Sequence, residues 1–206
     1  MNSAASTPKP LDFASKKRAY SRLISSLALV FAIVLGVPSG SLGGPASCPA
    51  AAKIFTNFQP STSENTVSEI PFLSADGPKR SLKDYRGNGV VLNFWATWCA
   101  PCVREMPQLD RLSALVKDNS IEVLTVSEDR NGLVLAPKFY EKHKLNDLPV
   151  LVDEKSKLLR AFKVKGLPTT ILISADGKEV GRVLGVAEWD SEPVVDLIRN
   201  CLRPKR

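Results

Sequence analysis

Apolar residues along the chain fall into short runs separated by turn-forming clusters, and the runs change period in a way that predicts alternating strands and helices. Phe72-Leu73-Ser74 leads into the turn signal Ala75-Asp76-Gly77 and then Lys79–Leu82, which predicts a hairpin; a short helical turn follows from Ser81 or Leu82 to Tyr85. Gly89–Trp95 (GVVLNFW) is β-branched and aromatic without full alternation, as a central strand covered on both faces should be. The next segment, Ala100–Lys117, places Met106, Leu109, Leu112 and Leu115 at helical spacing, with Pro107 expected to kink the helix. Ile121–Val126 reads as a second buried strand, Leu133–Lys144 as a helix, Pro149–Val152 as a short strand and Lys155–Lys163 as another helix. Thr169–Ile173 and Lys178–Leu184 form a strand pair around Ala175-Asp176-Gly177, and a last helix runs from Ser191 to Cys201. Alternation that closes on an antiparallel pair predicts an α/β sandwich with a mixed sheet.

Upstream, the pattern is of another kind. Leu23–Val37 is an uncharged run of apolar and small residues, and no charge returns until Lys53. Its fifteen residues are short against the roughly 20 that span a bilayer, so a buried core helix is the competing reading. The terminal position, the basic flank and the lack of amphipathic spacing favour a membrane segment instead. Residues 1–22 carry five cations (Lys9, Lys16, Lys17, Arg18, Arg22) against Asp12, which places the N-terminus in the cytoplasm and exports the rest. The resulting organisation is a basic N-terminus over 1–22, a transmembrane anchor or signal segment over 23–44, a stem over 45–66 and a folded domain over 67–206. Gly44-Pro45-Ala46 offers small residues for processing, but a 22-residue leader is long for a cleaved signal, and a retained anchor is favoured. Lipid attachment at Cys48 fits poorly with Pro45 three positions before it. Residues 38–66 are rich in Gly, Pro, Ser, Thr, Ala and Asn and read as a poorly patterned connection.

Composition adds little beyond an ordinary globular balance, with 24% charged residues. The net charge of +7 sits mostly at the ends, in residues 1–22 and in Arg203, Lys205 and Arg206, so the central domain is near neutral and nucleic acid is not an expected partner.

The chemistry lies in Trp95-Ala96-Thr97-Trp98-Cys99-Ala100-Pro101-Cys102. Two cysteines two residues apart, at the first turn of a helix that follows a buried strand, suit dithiol exchange. The helix N-terminus stabilises a thiolate at Cys99, and Cys102, one turn further in, would resolve the mixed disulfide. Pro101 fits the first turn, where its missing N–H costs nothing. Zinc sites share the spacing, but the two further ligands would have to come from Cys48, Cys201 or the single histidine, His143, and neither cysteine belongs to a second C-x-x-C knuckle. No metal and no cofactor are expected.

This segment resembles the thioredoxin superfamily, and a second motif agrees. Gly166-Leu167-Pro168-Thr169 precedes a strand where that superfamily carries a cis-proline. The resemblance implies that Pro168 lies beside the reactive pair and that the backbone of Leu167 pairs with the substrate chain. Over roughly Ile70–Leu202 the chain is similar to the TlpA, ResA and CcmG group of membrane-anchored extracytoplasmic reductases. Asn93-Phe94-Trp95-Ala96-Thr97-Trp98-Cys99, Arg104-Glu105-Met106-Pro107 and the 69 positions from Cys99 to Pro168 carry that likeness. It implies a three-layer thioredoxin-like sandwich and an active-site glutamate at Glu105, which could equally be a solvated helix residue. Asn93 stands where cytoplasmic thioredoxins have a buried acid. Trp98, with Ala100 and Pro101, would contact partners, whereas Trp95 reads as core.

Cys48 and Cys201 remain. In an exported protein an even leftover pair suggests a structural disulfide, with free thiols or lipidation of Cys48 as alternatives. TlpA-like members have an extra disulfide between the pre-domain segment and the C-terminal region. The resemblance as a whole implies a dithiol reductase fed by a transmembrane carrier of the DsbD or CcdA kind. Its partners would be oxidised cysteine pairs in copper chaperones of the Sco type, in an oxidase copper subunit or in apocytochrome c, with the copper-site branch preferred for Cys48 and Cys201. A disulfide oxidase or isomerase is the enzymatic alternative. A copper chaperone using Cys99, Cys102 and His143 is the alternative of another class.

Overall fold

The structure, a computed structural model, describes residues 48–61 and 69–204. The basic N-terminus, the membrane segment expected over 23–44 and part of the expected stem lie outside the described residues. No helix among the described residues is long and apolar enough to cross a membrane.

Eight strands form one mixed sheet in the order β1-β8-β7-β4-β5-β6-β2-β3. These are β1 (Phe58–Pro60), β2 (Phe72–Ser74), β3 (Gly77–Arg80), β4 (Gly89–Trp95), β5 (Ile121–Ser127), β6 (Leu151–Val152), β7 (Thr169–Ile173) and β8 (Glu179–Leu184). β4, β5 and β6 run parallel, and the remaining pairings are antiparallel. The helices are α1 (Ala51–Ile54), α2 (Ala100–Val116), α3 (Gly132–His143), α4 (Lys157–Ala161) and α5 (Glu192–Leu202).

The period-2 alternation of β4 explains the three layers. Val91 and Trp95 point into a core shared with α1, α2, α3 and α5, while Val90, Leu92 and Phe94 point into a second core with Tyr85, Leu158 and Phe162. Every residue of β4 is buried, and each large apolar side chain withdrawn from water contributes roughly 1.5–3 kcal/mol. Gly89 opens the strand because the end of α5 lies against it: a Cβ there would meet the Leu202 carbonyl oxygen at 2.5 Å.

The expected thioredoxin-like sandwich with a mixed sheet is present, with two differences in its parts. The first concerns the stem. Its described part belongs to the fold: Ala51 and Phe55 are buried in the first core, and Phe58–Pro60 pairs with Val183–Gly181 of β8 as an edge strand. A three-residue strand whose partner lies over 120 positions away leaves no periodic signature in the sequence. The second concerns Lys155–Lys163, which is not one helix but a 3₁₀ turn (Glu154–Ser156) followed by the single turn of α4. Lys155 and Ser156 take left-handed φ values of 62° and 51°, which a continuous α-helix cannot contain. Pro107 lies inside α2, which runs on either side of it from Ala100 to Val116.

Candidate active site

β4 ends at Trp95, level with Ser127 at the end of the parallel strand β5, so the loops leaving both strands meet at one edge of the sheet. Loops at the carboxyl ends of parallel strands are where open α/β sheets place their sites. The two loops are tied together. The Glu128 N–H donates to the Trp95 carbonyl (2.8 Å). The Asp129 carboxylate accepts from the Thr97 N–H (2.9 Å) and the Thr97 hydroxyl (2.7 Å). Trp98 therefore leaves a clamped loop, and it is 70% exposed, whereas Trp95 is fully buried.

Cys99 occupies the N-cap of α2 in extended backbone, and its sulfur accepts from the Cys102 N–H at 3.3 Å. The two cysteines are bonded, with Cα atoms 5.3 Å apart. Their exposures differ in the way sequential chemistry needs: Cys99 lies at the surface edge with 6% exposure, and Cys102 is wholly covered. Ala100 is exposed and Pro101 half-buried in the first turn. The helix that begins here directs its unpaired N–H groups at the Cys99 sulfur and favours negative charge on it.

The Leu167–Pro168 peptide is cis. The loop that carries it is held by the Thr169 hydroxyl, which donates to the Gly166 carbonyl (2.8 Å), and by the Gly185 N–H on the Pro168 carbonyl (2.9 Å). Leu167 lines a groove of about 620 Å³ together with Trp98, Cys99, Pro101, Leu159 and Val164. Structure thus brings Trp98, Cys99, Ala100, Pro101 and Leu167 to one depression, with Pro168 buried directly behind Leu167.

Glu105 is not a solvated helix residue. It is 3% exposed, one turn beyond Cys102 on the inner face of α2. Its Oε1 accepts from Asn93 Nδ2 and its Oε2 from Trp189 Nε1, both at 3.0 Å, and Asn93 also donates to Thr170 Oγ1 at 2.9 Å. Burial raises the Glu105 carboxyl to about 7, and the hydrogen bonds from Trp189, Asn93 and the Ala187 backbone oppose that rise. A carboxyl that titrates near neutrality beside a dithiol can hold or release a proton during exchange.

A second carboxyl, Glu128, lines the groove itself. Both of its oxygens are buried without a hydrogen-bond partner. Burial pushes it up to about 8; Ser156 opposes the shift, Asp153 adds to it and Arg160 opposes it. Sequence reading passed over Glu128, Asp129, Trp189 and Thr170. For Glu128 and Asp129 a signal existed, since they directly follow a buried strand parallel to β4. Trp189 and Thr170 reach Glu105 and Asn93 only through tertiary packing.

The remaining cysteines, Cys48 and Cys201, are bonded to each other with Cα atoms 5.8 Å apart, joining the residue ahead of α1 to the end of α5. His143 stacks on the Phe139 ring at 4.2 Å. Among the described residues no group of three or more His, Cys, Asp or Glu side chains is placed to hold a metal ion.

The raised Glu105 carboxyl sets a pH dependence of stability. Its native form binds a proton more tightly than the unfolded chain does, so the associated stability is fully present below about 4.5 and is lost as pH rises through about 7. That amounts to about 3 kcal/mol over the interval. Thermal unfolding of the wild type will show a melting temperature that falls between pH 5 and 8. Glu105→Gln will flatten the slope, leaving the share that belongs to Glu128. An undiminished slope in Glu105→Gln would contradict the assignment.

Comparison with known proteins agrees with this geometry. Residues 63–179 match the AhpC/TSA family. The chain is 37% identical over 129 residues to the thiol–disulfide oxidoreductase ResA of Geobacillus kaustophilus, covering 61% of this chain and 73% of that protein. It is also 37% identical over 110 residues to ResA of Bacillus cereus, a match that covers 53% of this chain and 62% of that protein, less than two thirds of its length. Among solved structures, the exposed lipoprotein thioredoxin of Streptococcus pneumoniae superimposes with a TM-score of 0.55 at 31% identity, covering 65% of this chain and 99% of that one. Shared sequence and shared architecture lead to one assignment: the chain belongs to the AhpC/TSA family within the thioredoxin fold, and it is a thiol–disulfide oxidoreductase of the ResA type.

Proposed function

We propose that the protein is a dithiol reductase tethered to the cytoplasmic membrane through residues 23–44, with its thioredoxin-like domain on the outer face, the periplasm. The observation that carries this reading is the unequal placement of the two sulfurs, Cys99 at the lip of an open groove and Cys102 fully covered behind it. In the reduced protein the Cys99 thiolate attacks one sulfur of a partner disulfide. A Cys99–partner bond forms, the partner's own S–S bond breaks, and the displaced thiolate takes up a proton. Cys102 then loses its proton, with Glu105 one turn away as acceptor, and attacks the Cys99 sulfur. The Cys99–Cys102 bond forms, the mixed disulfide breaks and the partner leaves with two thiols. During the first step the partner's backbone lies along Leu167, whose own N–H and C=O have no hydrogen-bond partner among the described residues, and Trp98 covers the exchange.

Two electrons must return from a transmembrane carrier of the DsbD or CcdA kind. The partners are oxidised cysteine pairs in copper-site proteins of cytochrome oxidase, including Sco-type chaperones, or in apocytochrome c. The Cys48–Cys201 bond supports the copper-site branch, through the likeness to TlpA members.

Anaerobic mixing of the reduced full-length protein with an oxidised Sco-type domain, and separately with an oxidised haem-attachment peptide, tests this. The Sco-type pair should be reduced stoichiometrically and roughly tenfold faster or more, a difference of about 1.4 kcal/mol in transition-state binding. The reverse order would move the protein to the haem branch. Failure to reduce either, with oxidation of their dithiol forms by the disulfide state, would overturn the reductase direction. Protease added to intact spheroplasts should digest the domain; protection until lysis would overturn the outward placement.

A further inference from the structure

The wall of the groove opposite Cys99 is made by residues 155–165, and its charge is one-sided. Leu158 and Phe162 are buried in the second core. Lys155, Lys157, Arg160, Lys163 and Lys165 are all exposed, and none forms an ion pair among the described residues. The frame beneath them is fixed. Asp153 accepts from the N–H groups of Lys157 and Leu159, both at 2.8 Å. The Phe162 carbonyl accepts from Arg182 Nη1 at 2.9 Å. Lys155 and Lys163 hold left-handed backbone at φ 62° and 52°, a conformation disfavoured for L-residues by about 1 kcal/mol or more and maintained by these contacts.

Residues 163–165 form a ridge between two depressions. Lys165 lines the groove of Cys99 and Trp98, and both Lys163 and Lys165 line a neighbouring hollow that runs past Pro168 to Arg182 and Leu184. The centre of this face is apolar, with Trp98 70% and Leu184 40% exposed. Acidic groups do little to offset the cations. Glu179 is consumed by Arg182 at 2.7 Å, Asp153 is turned to backbone N–H groups, and the half-buried Glu128 has both carboxyl oxygens covered, with desolvation pushing it up to about 8. The segment itself holds no acid, and Glu154 just before it is exposed.

We propose that this face selects protein partners whose reactive cysteine pair is flanked by acidic residues, which the 155–165 cations steer to Cys99. The inference rests on the reductase reading and adds the chemistry of the substrate. Each exposed pair is worth little by itself, but a cluster of one sign around a cleft raises encounter rates by 10-fold to 1,000-fold at low ionic strength. Because the Debye length is about 8 Å at 0.15 M salt, the effect must fade as salt is added. It acts on association, not on the potential of the Cys99–Cys102 couple.

The test compares disulfide-looped peptides that share one cysteine core and carry acidic, neutral or basic flanks. Each is reduced by the full-length protein in zwitterionic nanodiscs. At about 10 mM salt the acidic peptide should react at least tenfold faster than the basic one, the two converging to within about twofold to threefold at 0.5 M. The triple reversal Lys157→Glu, Lys163→Glu and Lys165→Glu should invert the ratio. A ratio between peptides cancels any loss of folded protein or of chemistry common to both. Equal rates at low salt, or a preference that survives the reversal, would overturn the proposal. So would a preference that disappears in anionic nanodiscs, which would assign the cations to lipid headgroups. The neutral peptide keeps the two readings apart: turnover without charge preference sinks only this inference, whereas no turnover of any peptide sinks the reductase reading itself.

Discussion

Cys102→Ser will stop the reaction halfway, accumulating a covalent Cys99–partner disulfide visible on non-reducing gels, while Cys99→Ser will lower disulfide reduction by about a thousandfold or more. The two variants part because the sulfurs are not equivalent. Only Cys99 borders the groove, and Cys102 is fully covered beneath it at the first turn of α2. With serine at 102, the attacking thiolate still forms and bonds the partner, but nothing remains to displace it. With serine at 99, Cys102 would have to reach an external disulfide through the side chains that bury it. Equal trapping by both variants would show that the order of attack is wrong. Full reductase activity in Cys99→Ser would remove the site altogether.

The second large effect concerns stability. Replacing both Cys48 and Cys201 with serine opens a loop whose ends are 153 positions apart. In the chain-entropy model that removes about 5 kcal/mol, an upper figure. For a domain of this size it corresponds to a fall in melting temperature of roughly 10–20 °C. The loss will be felt first at the segment the bond holds down, where Ala51 and Phe55 are buried and β1 pairs with β8. Hydrogen exchange should therefore show α1 and β1 opening before the central strands. The Phe55 ring packs on Trp189 at 5.5 Å, and Trp189 donates to Glu105, so a loosened strap also loosens the floor of the active site. An unchanged melting temperature together with unchanged exchange in α1 would mean that the bond contributes nothing to the fold.

Where the sequence was readable, a single physical signal dominated. The run GVVLNFW had to be a strand covered on both faces. The helix after it had to start close to the cysteines, because apolar spacing follows at Met106, Leu109 and Leu112 and Pro101 fits a first turn. Residues 48–60 were unreadable for the opposite reason: one turn of helix and a three-residue strand carry too few positions for a period, and their partners are α5 and β8 at the far end of the chain. Glu105 could be placed on the face of Cys102 by counting, but its burial depends on Asn93 of β4, itself held by Thr170 of β7, and on Trp189 from the turn before α5. The cations of 155–165 stand in a segment that the sequence reads only as a helix, and nothing in its pattern sets them apart. That the segment faces Cys99 follows only from the sheet order, which sets α4 and the cis-proline loop beside the start of α2.

The most direct test of the reductase account is the equilibrium potential of the Cys99–Cys102 couple in the full-length protein, titrated against glutathione and then dithiothreitol. The account predicts a value near or below that of thioredoxin, about −270 mV, so that electrons flow from this pair to partner disulfides. A value near −120 mV, that of a strong disulfide donor, would contradict it and recast the protein as an oxidase.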